Sequence, residues 1–352
     1  MSAPHPHRLI PVDEFSLADI EAIRLILSGD SVIDWHRLSY TSEREVAEAI
    51  AAQEFRLDDQ ADCERLESLK QQAIGYLHRQ FNFPVPKAVA SATTAELMLM
   101  ASGQGHRQVC ACSILKCMHI IHHLDGRELL FVLPMSDQEV FQAVEEKVYR
   151  VIGNMLAHAH PVIEFVGGRK NKDSLYTKLL SKQDTIAAQI YDKLRFRIVV
   201  RHVHDILPIL HYLTRTLFPF SYIVPGQSEN SVFDFQEFCA GFPNLREQYP
   251  QLQADTDGGF SRSPNQFSAE SYRVLHFVVD MPVRLPTRIL ERAPPNAIDK
   301  YGRIIFVICE FQIVDHETDT KNELGEASHA AYKERQKLAV MRRLRLNPRP
   351  SK

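Results

Sequence analysis

Through the first 160 residues, apolar positions recur every three or four places, a period that predicts helices rather than strands. Ser16-x-x-Asp19 opens an amphipathic run (Leu17, Ile20, Ile23, Leu27) that Gly29 can stop. Ser42 with Glu45 predicts a second capping box, and Ser136 with Glu139 a third, opening a helix to about Ala157. The stretch from Glu96 to Leu130 is apolar with few breakers and predicts one packed helix. Beyond Gly167-Gly168 the texture changes. A basic helix is expected over about Asn171 to Ser181, then a strand in the β-branched run Leu194 to Val200. A helix around Asp205 to Leu217 and a short strand at Phe220 to Val224 follow. Strand patterns at Tyr272 to Met281 and Arg303 to Val314 come next, then a last helix over about Asn322 to Met341. Elements in this order describe an α/β or α+β domain around a mixed sheet. Between Gly226 and Ser268 lies a segment rich in Pro, Gly, Gln and Asn, with six acids and two basic residues. Its length points to a lid, an insertion or another functional loop.

Composition narrows the class. The chain has 352 residues, 45% of them hydrophobic and 24% charged, which suits one large or two medium globular domains. No apolar run approaches the roughly 18 residues of a membrane span. The start, MSAPHPHRLIPVDEF, has no basic region leading into an apolar core, so no signal peptide is expected. Six cysteines in so long a chain are too few for a disulfide framework and suit a reducing cytoplasm. The net charge of −3 hides an asymmetry: the last twenty residues carry eight Lys/Arg against Glu334 alone. A basic tail on an acidic body suits an RNA or membrane-surface contact, or simply a solvated helix end.

Three clusters can carry chemistry. In the first, Lys170, Ser174 and Lys178 would share one helix face, within a stretch of five basic residues and one acid from Arg169 to Lys182. Like charges on one face favour a polyphosphate, and glycines just before the helix would turn its N–H groups toward it. The spacing is not that of a Walker A loop, and a solvated basic face explains the same residues. The second cluster is a pair of acids on strands. Asp192 precedes the strand at Leu194, and Glu310 sits in the otherwise apolar run Ile304 to Ile313. A carboxylate there is costly unless a metal or cation pairs with it. Two carboxylates on neighbouring strands suit Mg²⁺ with substrate phosphates; an ion pair with Arg195 or Arg197 is the alternative. In the third cluster, alternation puts Tyr272 and His276 on one strand face. They would stack a base and contact a phosphate or ribose, or be merely half-buried. His119, His122, His123 and Asp125 read as the polar end of an apolar helix, and Cys110, Cys112 and Cys117 lack zinc-site spacing.

Taken in order, these blocks resemble the synthetase domain of RelA/SpoT-type alarmone synthetases. Lys170, Ser174 and Lys178 match that family's basic helix, and Asp192 with Arg197 its Asp-x-x-x-x-Arg strand start. Tyr272 and His276 match its Tyr-x-x-x-His, and Glu310, Gln312 and Ile313 its Glu-x-Gln-Ile. Asn322 to Lys333 follows its closing A-E-x-G-x-A-A-H-x-x-Y-K helix. The similarity runs from about Gly167 to Lys333.

The resemblance implies an α+β fold, with a nucleotidyltransferase-like mixed sheet flanked by helices and preceded by a mainly helical N-terminal region. Together with the helical pattern and the charge count, it divides the chain into residues 1–160, expected to be regulatory or dimerising; 161–341, the synthetase domain with an insertion at about 226–268; and a basic tail, 342–352. It also implies an ATP-dependent pyrophosphokinase that passes the β,γ-pyrophosphate of ATP to a nucleotide 3′-hydroxyl, GDP or GTP first, giving (p)ppGpp. ATP would lie along Lys170, Ser174 and Lys178, with Arg169 near adenine and Lys172 as its substitute. Asp192 and Glu310 would hold Mg²⁺ and act in catalysis. Tyr272, His276, Arg197 and Gln312 would line the acceptor side. The family's Lys-x-Asn-Gly-Tyr is Ser268-Ala269-Glu270-Ser271-Tyr272 here. That change admits an adenine nucleotide or a tRNA 3′ end as acceptor, as in toxin-like relatives, or a nucleotide-binding regulator without turnover. The expected partners are ATP and an acceptor nucleotide, RNA at the basic tail and further copies of the chain, with no membrane contact.

Overall fold

A computed structural model describes residues 8–181, 193–243, 245–246, 269 and 271–346. The N-terminal helices follow the caps the sequence offers. Helix α1 (Leu17–Ser28) opens on a reciprocal Ser16–Asp19 capping box and closes at Gly29, whose φ of 69° is left-handed. Helix α2 (Glu43–Ala52) is capped by Ser42, but the Glu45 carboxylate bonds Thr41 instead of closing the box. Helices α3 (Gln60–Phe81), α4 (Lys87–Ala90), α5 (Thr94–Ala101), α6 (His106–Val132) and α7 (Asp137–Ala157) follow.

The single helix expected from Glu96 to Leu130 is therefore two. Gly105 has φ 84°, outside helical geometry, and the chain turns at Ser102–Gly105. The carbonyl that ends α5 is used: Leu38 donates its backbone N–H to Ala101 at 3.1 Å.

The sheet has five strands among the described residues: β1 (Val162–Arg169), β2 (Leu194–Val200), β3 (Glu229–Asn230), β4 (Leu275–Arg284) and β5 (Ile304–Asp315). Their order is β1-β2-β5-β4-β3. The β2–β5 pair is parallel and the other three are antiparallel, so the sheet is mixed and the fold α+β. Helices α8 (Lys172–Ser181), α9 (Ile206–Thr216), α10 (Phe235–Ala240), α11 (Thr287–Leu290), α12 (Ala297–Tyr301), α13 (His316–Asn322) and α14 (His329–Arg343) complete the elements.

Several expectations are corrected. Gly167 and Gly168 do not precede a helix; they lie inside β1, opposite Phe196 and Arg195. A Cβ at Gly167 would stand 2.9 Å from the Tyr149 hydroxyl, so the glycine serves the packing of α7 on the strand. Residues Phe220–Tyr222 form a 3₁₀ turn; Ile223 bridges to Val279 of β4, and the Val224 N–H donates to the Val278 carbonyl at 2.8 Å. Tyr272 precedes β4, and the last helix starts at His329, capped by Ser328, after a turn at Gly325–Ala327. The expected insertion contributes β3 and α10; residues 244 and 247–268 lie outside the described residues.

The helical half and the sheet share one hydrophobic core. Gly126 of α6 faces Phe306 of β5, and a Cβ there would meet the ring at 2.5 Å and the Ile304 carbonyl at 2.9 Å. Gly126→Ala should therefore destabilise the fold by roughly 1–3 kcal/mol through overpacking, although alanine is the better helix former. Urea unfolding measures this. An increase in stability would mean that α6 does not pack so closely on β5.

Candidate functional site

Strand β5 is the middle strand of the five, and Glu310 lies in it with 6% of its surface exposed. Alternation along β5 puts Phe306, Ile308, Glu310 and Gln312 on one face. The register extends that face across the sheet. Glu310 stands beside Arg195 of β2 and Val278 of β4, and Gln312 beside Arg197 and His276. Neighbouring rows thus bring two arginines, a histidine, an amide and a carboxylate together.

Their hydrogen bonds form a chain. Gln312 Nε2 donates to Glu310 Oε1 at 2.8 Å, and His276 Nε2 lies 3.3 Å from the same oxygen. Arg197 Nη1 donates to Gln312 Oε1 and to the Tyr272 hydroxyl, each at 3.4 Å. Only one orientation of the Gln312 amide serves both neighbours, with its oxygen toward the guanidinium and its nitrogen toward the carboxylate. Arg197 Nη2 also bonds Asp319 in α13. Burial opposes charge on Arg197, but Tyr272 and Asp319 outweigh it and raise its proton affinity.

Asp319 is a member that sequence reasoning missed. Its sequence context, Asp315-His316-Glu317-Thr318-Asp319, reads as a helix start, and Asp315 does cap α13 through the N–H groups of Glu317 and Thr318. Nothing local reveals a pair with an arginine 122 residues away. Asn322, at the end of the same helix, clasps the backbone of Arg273 at 3.0 and 2.7 Å, which fixes the segment carrying Tyr272.

The basic cluster adjoins this face. Lys170 is not on α8 as the i, i+4, i+8 spacing suggests; its N–H donates to the Lys193 carbonyl and continues the β1–β2 ladder. Ser174 and Lys178 do lie on α8, one turn apart. Asn171 caps that helix, accepting from the Ser174 N–H at 2.8 Å. Lys172 is exposed in its first turn. Gly168, Arg195 and Glu310 stand in one row, so the end of β1 is two strand spacings, roughly 10 Å, from the carboxylate. Helix α14 packs on α8, with Arg343 donating to the Leu180 carbonyl at 2.6 Å.

Arg169 stands apart from these residues. It pairs with Leu194 and alternates onto the face opposite Arg195 and Arg197, where both branches of its guanidinium bond Glu145 of α7 at 2.9 and 2.7 Å. The adenine contact expected of Arg169 has no support in this placement. Asp192 lies outside the described residues.

No group of three or more His, Cys, Asp or Glu among the described residues is arranged to hold a metal ion. Magnesium asks less, one or two carboxylates with the rest from phosphates and water, and Glu310 offers a hard oxygen donor of that kind. The histidines of α6 serve packing. His123 stacks on Phe306 with ring centres 4.0 Å apart, His122 packs on Phe55 and Phe306, and Asp125 pairs with Arg65.

The face thus joins a buried carboxylate, a guanidinium held by Tyr272, Gln312 and Asp319, the exposed Arg195 and, past the end of β1, a lysine-bearing helix. No protein family and no curated protein matches the chain. Among solved structures it is similar to small alarmone synthetase 1 from Bacillus subtilis, at 17% identity over 58% of this chain and 86% of that one, with a TM-score of 0.32. Small alarmone synthetase 2 from Bacillus subtilis gives 18%, 62% and 94%, with a TM-score of 0.30. A GTP pyrophosphokinase family protein from Streptococcus pneumoniae gives 15%, 60% and 90%, with a TM-score of 0.31. No helix among the described residues is long and apolar enough to cross a membrane.

The histidine cluster has a measurable consequence. Burial holds the proton affinities of His119 and His122 well below the ordinary imidazole value, and lowers that of His123. The unfolded chain takes up these protons near pH 6.5 while the folded chain stays neutral, so stability is full above that pH and falls below it. Each histidine contributes a slope of up to about 1.4 kcal/mol per pH unit. Urea unfolding between roughly pH 7.5 and 5.5 should show a shallower loss in His122→Leu than in the native chain. Equal slopes would mean that His122 is not buried in neutral form.

Proposed function

We propose that the chain is an ATP-dependent pyrophosphokinase acting on a nucleotide 3′-hydroxyl, with GDP or GTP as first candidates and (p)ppGpp as product. One observation carries this reading: the buried Glu310 carboxylate, oriented by Gln312 and His276, shares a sheet face with Arg195 and Arg197 beside the end of β1. Phosphoryl-type transfer needs positioned charge of both signs, and this face supplies it.

In this reading the ATP polyphosphate lies along Lys170, Lys172, Ser174 and Lys178. The acceptor base stacks on Tyr272, whose hydroxyl is held by Arg197. His276, Arg197 and Gln312 line the acceptor side. The acceptor's 3′-oxygen attacks the β-phosphorus of ATP, and the bond from that phosphorus to the oxygen bridging it to the α-phosphorus breaks. AMP leaves, and the hydroxyl proton passes to Glu310. Mg²⁺, held by Glu310 and Asp192, would neutralise phosphate charge during the transfer. Arg197, fixed by Asp319, stays in place while the phosphates change charge. The departures between Ser268 and Tyr272 fall on the acceptor side, so adenine nucleotides and a tRNA 3′ end remain acceptors to test, and a nucleotide-binding regulator without turnover is the reading that absence of any transfer would favour.

The test is transfer of label from β,γ-labelled ATP to GDP, GTP, GMP, adenine nucleotides and bulk tRNA. Glu310→Gln should lower turnover by on the order of 10²–10⁴ while leaving ATP binding nearly unchanged. Unchanged turnover would remove Glu310 from the mechanism. Lys178→Ala should weaken ATP binding about tenfold or more, an effect on the order of 1.4 kcal/mol, with acceptor binding largely retained. Loss on the acceptor side instead would reassign α8.

A further inference from the structure

A concavity lies at the other end of the sheet. It has a volume of about 430 Å³ and sits where α7, the 54–59 segment, the end of β4 and α11 meet. Arg303 borders it, and Glu310 lies seven residues further along β5, roughly 23 Å away. The cavity is therefore separate from the face described above.

Its charges sort into a floor and a rim. On the floor every charge has a partner. Arg284 bonds Asp59 at 2.9 Å and also Asp62, and Arg303 bonds Asp59 at 2.9 Å. Lys147 lies 2.8 Å from Glu54 and donates to the Pro282 carbonyl at 2.7 Å. Glu139 is paired with Arg292 at 2.7 Å. The rim differs. Arg56, Arg150 and Arg288 border the same cavity and have no side-chain hydrogen bond or ion pair among the described residues. Among the described residues that line the cavity, Glu146, hydrogen-bonded by Gln142, is the exposed carboxylate.

Three guanidinium groups around a concavity whose floor is already neutral leave a local excess of positive charge. Each has a planar fork of donors suited to phosphate oxygens. Val283, Leu285 and Ile289 give the cavity an apolar wall as well, and its volume falls within the range of small-molecule sites. We propose that this cavity binds a small phosphorylated anion through Arg56, Arg150 and Arg288, independently of the transfer site. Because its walls come from both the helical half and the sheet, an occupant braces the two against each other.

Equilibrium binding of inorganic pyrophosphate and of AMP to the full chain tests this. Three proteins are compared: native, the combined Arg56→Gln, Arg150→Gln and Arg288→Gln variant, and the combined Lys170→Ala and Lys178→Ala variant. The rim side chains are exposed, and thermal unfolding confirms that the rim variant folds; Arg288→Gln alone is the fallback. The native chain should bind pyrophosphate at a site that persists in the lysine variant and weakens at least tenfold in the rim variant. Binding of AMP at the same site would assign a nucleotide occupant, and binding of pyrophosphate alone a free phosphate. A rim variant with native binding, or a lysine variant that has lost all binding, overturns the proposal. A site lost only in the lysine variant speaks for the transfer reading, so the two succeed or fail separately.

Discussion

A carboxylate in the middle strand of the sheet is the constraint on which the rest of this site depends. Glu310 is flanked in β5 by Ile308, Cys309, Phe311 and Ile313, and next to nothing of it reaches solvent. An ionised group so placed costs several kcal/mol unless hydrogen bonds or opposite charge offset the lost hydration. The sheet provides the offset through register. Parallel pairing with β2 sets Arg195 and Arg197 alongside, and antiparallel pairing with β4 sets His276 alongside. A slip of one residue in either pairing would turn these groups to the apolar face and leave Glu310 unsupported. The same register sets Gln312 and His276 against the carboxylate and Arg197 against Gln312.

The supports of that face come from outside the strands. Helix α13 follows β5 directly and returns Asp319 to Arg197 and Asn322 to the backbone of Arg273. Gly126 lets α6 lie against Phe306 on β5, and Arg284 and Lys147 tie the far end of β4 to the helical half. These ties, together with the shared core, make the helical half part of the scaffold that holds the sheet in register.

How much of this is legible in the sequence depends on whether the signal is local. Caps and β-branched runs are local, so α1, α7, β2 and β5 stand close to where the pattern puts them. Glu310 was visible because a charge in an apolar strand is itself an anomaly. Failures arise where tertiary contact decides. A pair of glycines ahead of a basic run reads as the start of a helix, yet Gly167 and Gly168 lie inside β1, and at Gly167 a Cβ would crowd Tyr149. Arg169 and Lys170, adjacent in a basic run, diverge because strand alternation sends Arg169 to Glu145. The Asp319–Arg197 pair spans two elements and has no local trace, and Asp192 lies outside the described residues.

The co-product distinguishes this account from its neighbours most directly. Transfer of the β,γ-pyrophosphate releases AMP, whereas γ-phosphoryl transfer releases ADP. Chromatographic separation of the nucleotides after incubation of the chain with ATP, Mg²⁺ and each acceptor decides between them. The account predicts AMP in one-to-one proportion to acceptor consumed, formed on the order of 10²–10⁴ times more slowly with Glu310→Gln. ADP as the acceptor-dependent product, or AMP formed equally well without Glu310, would contradict it.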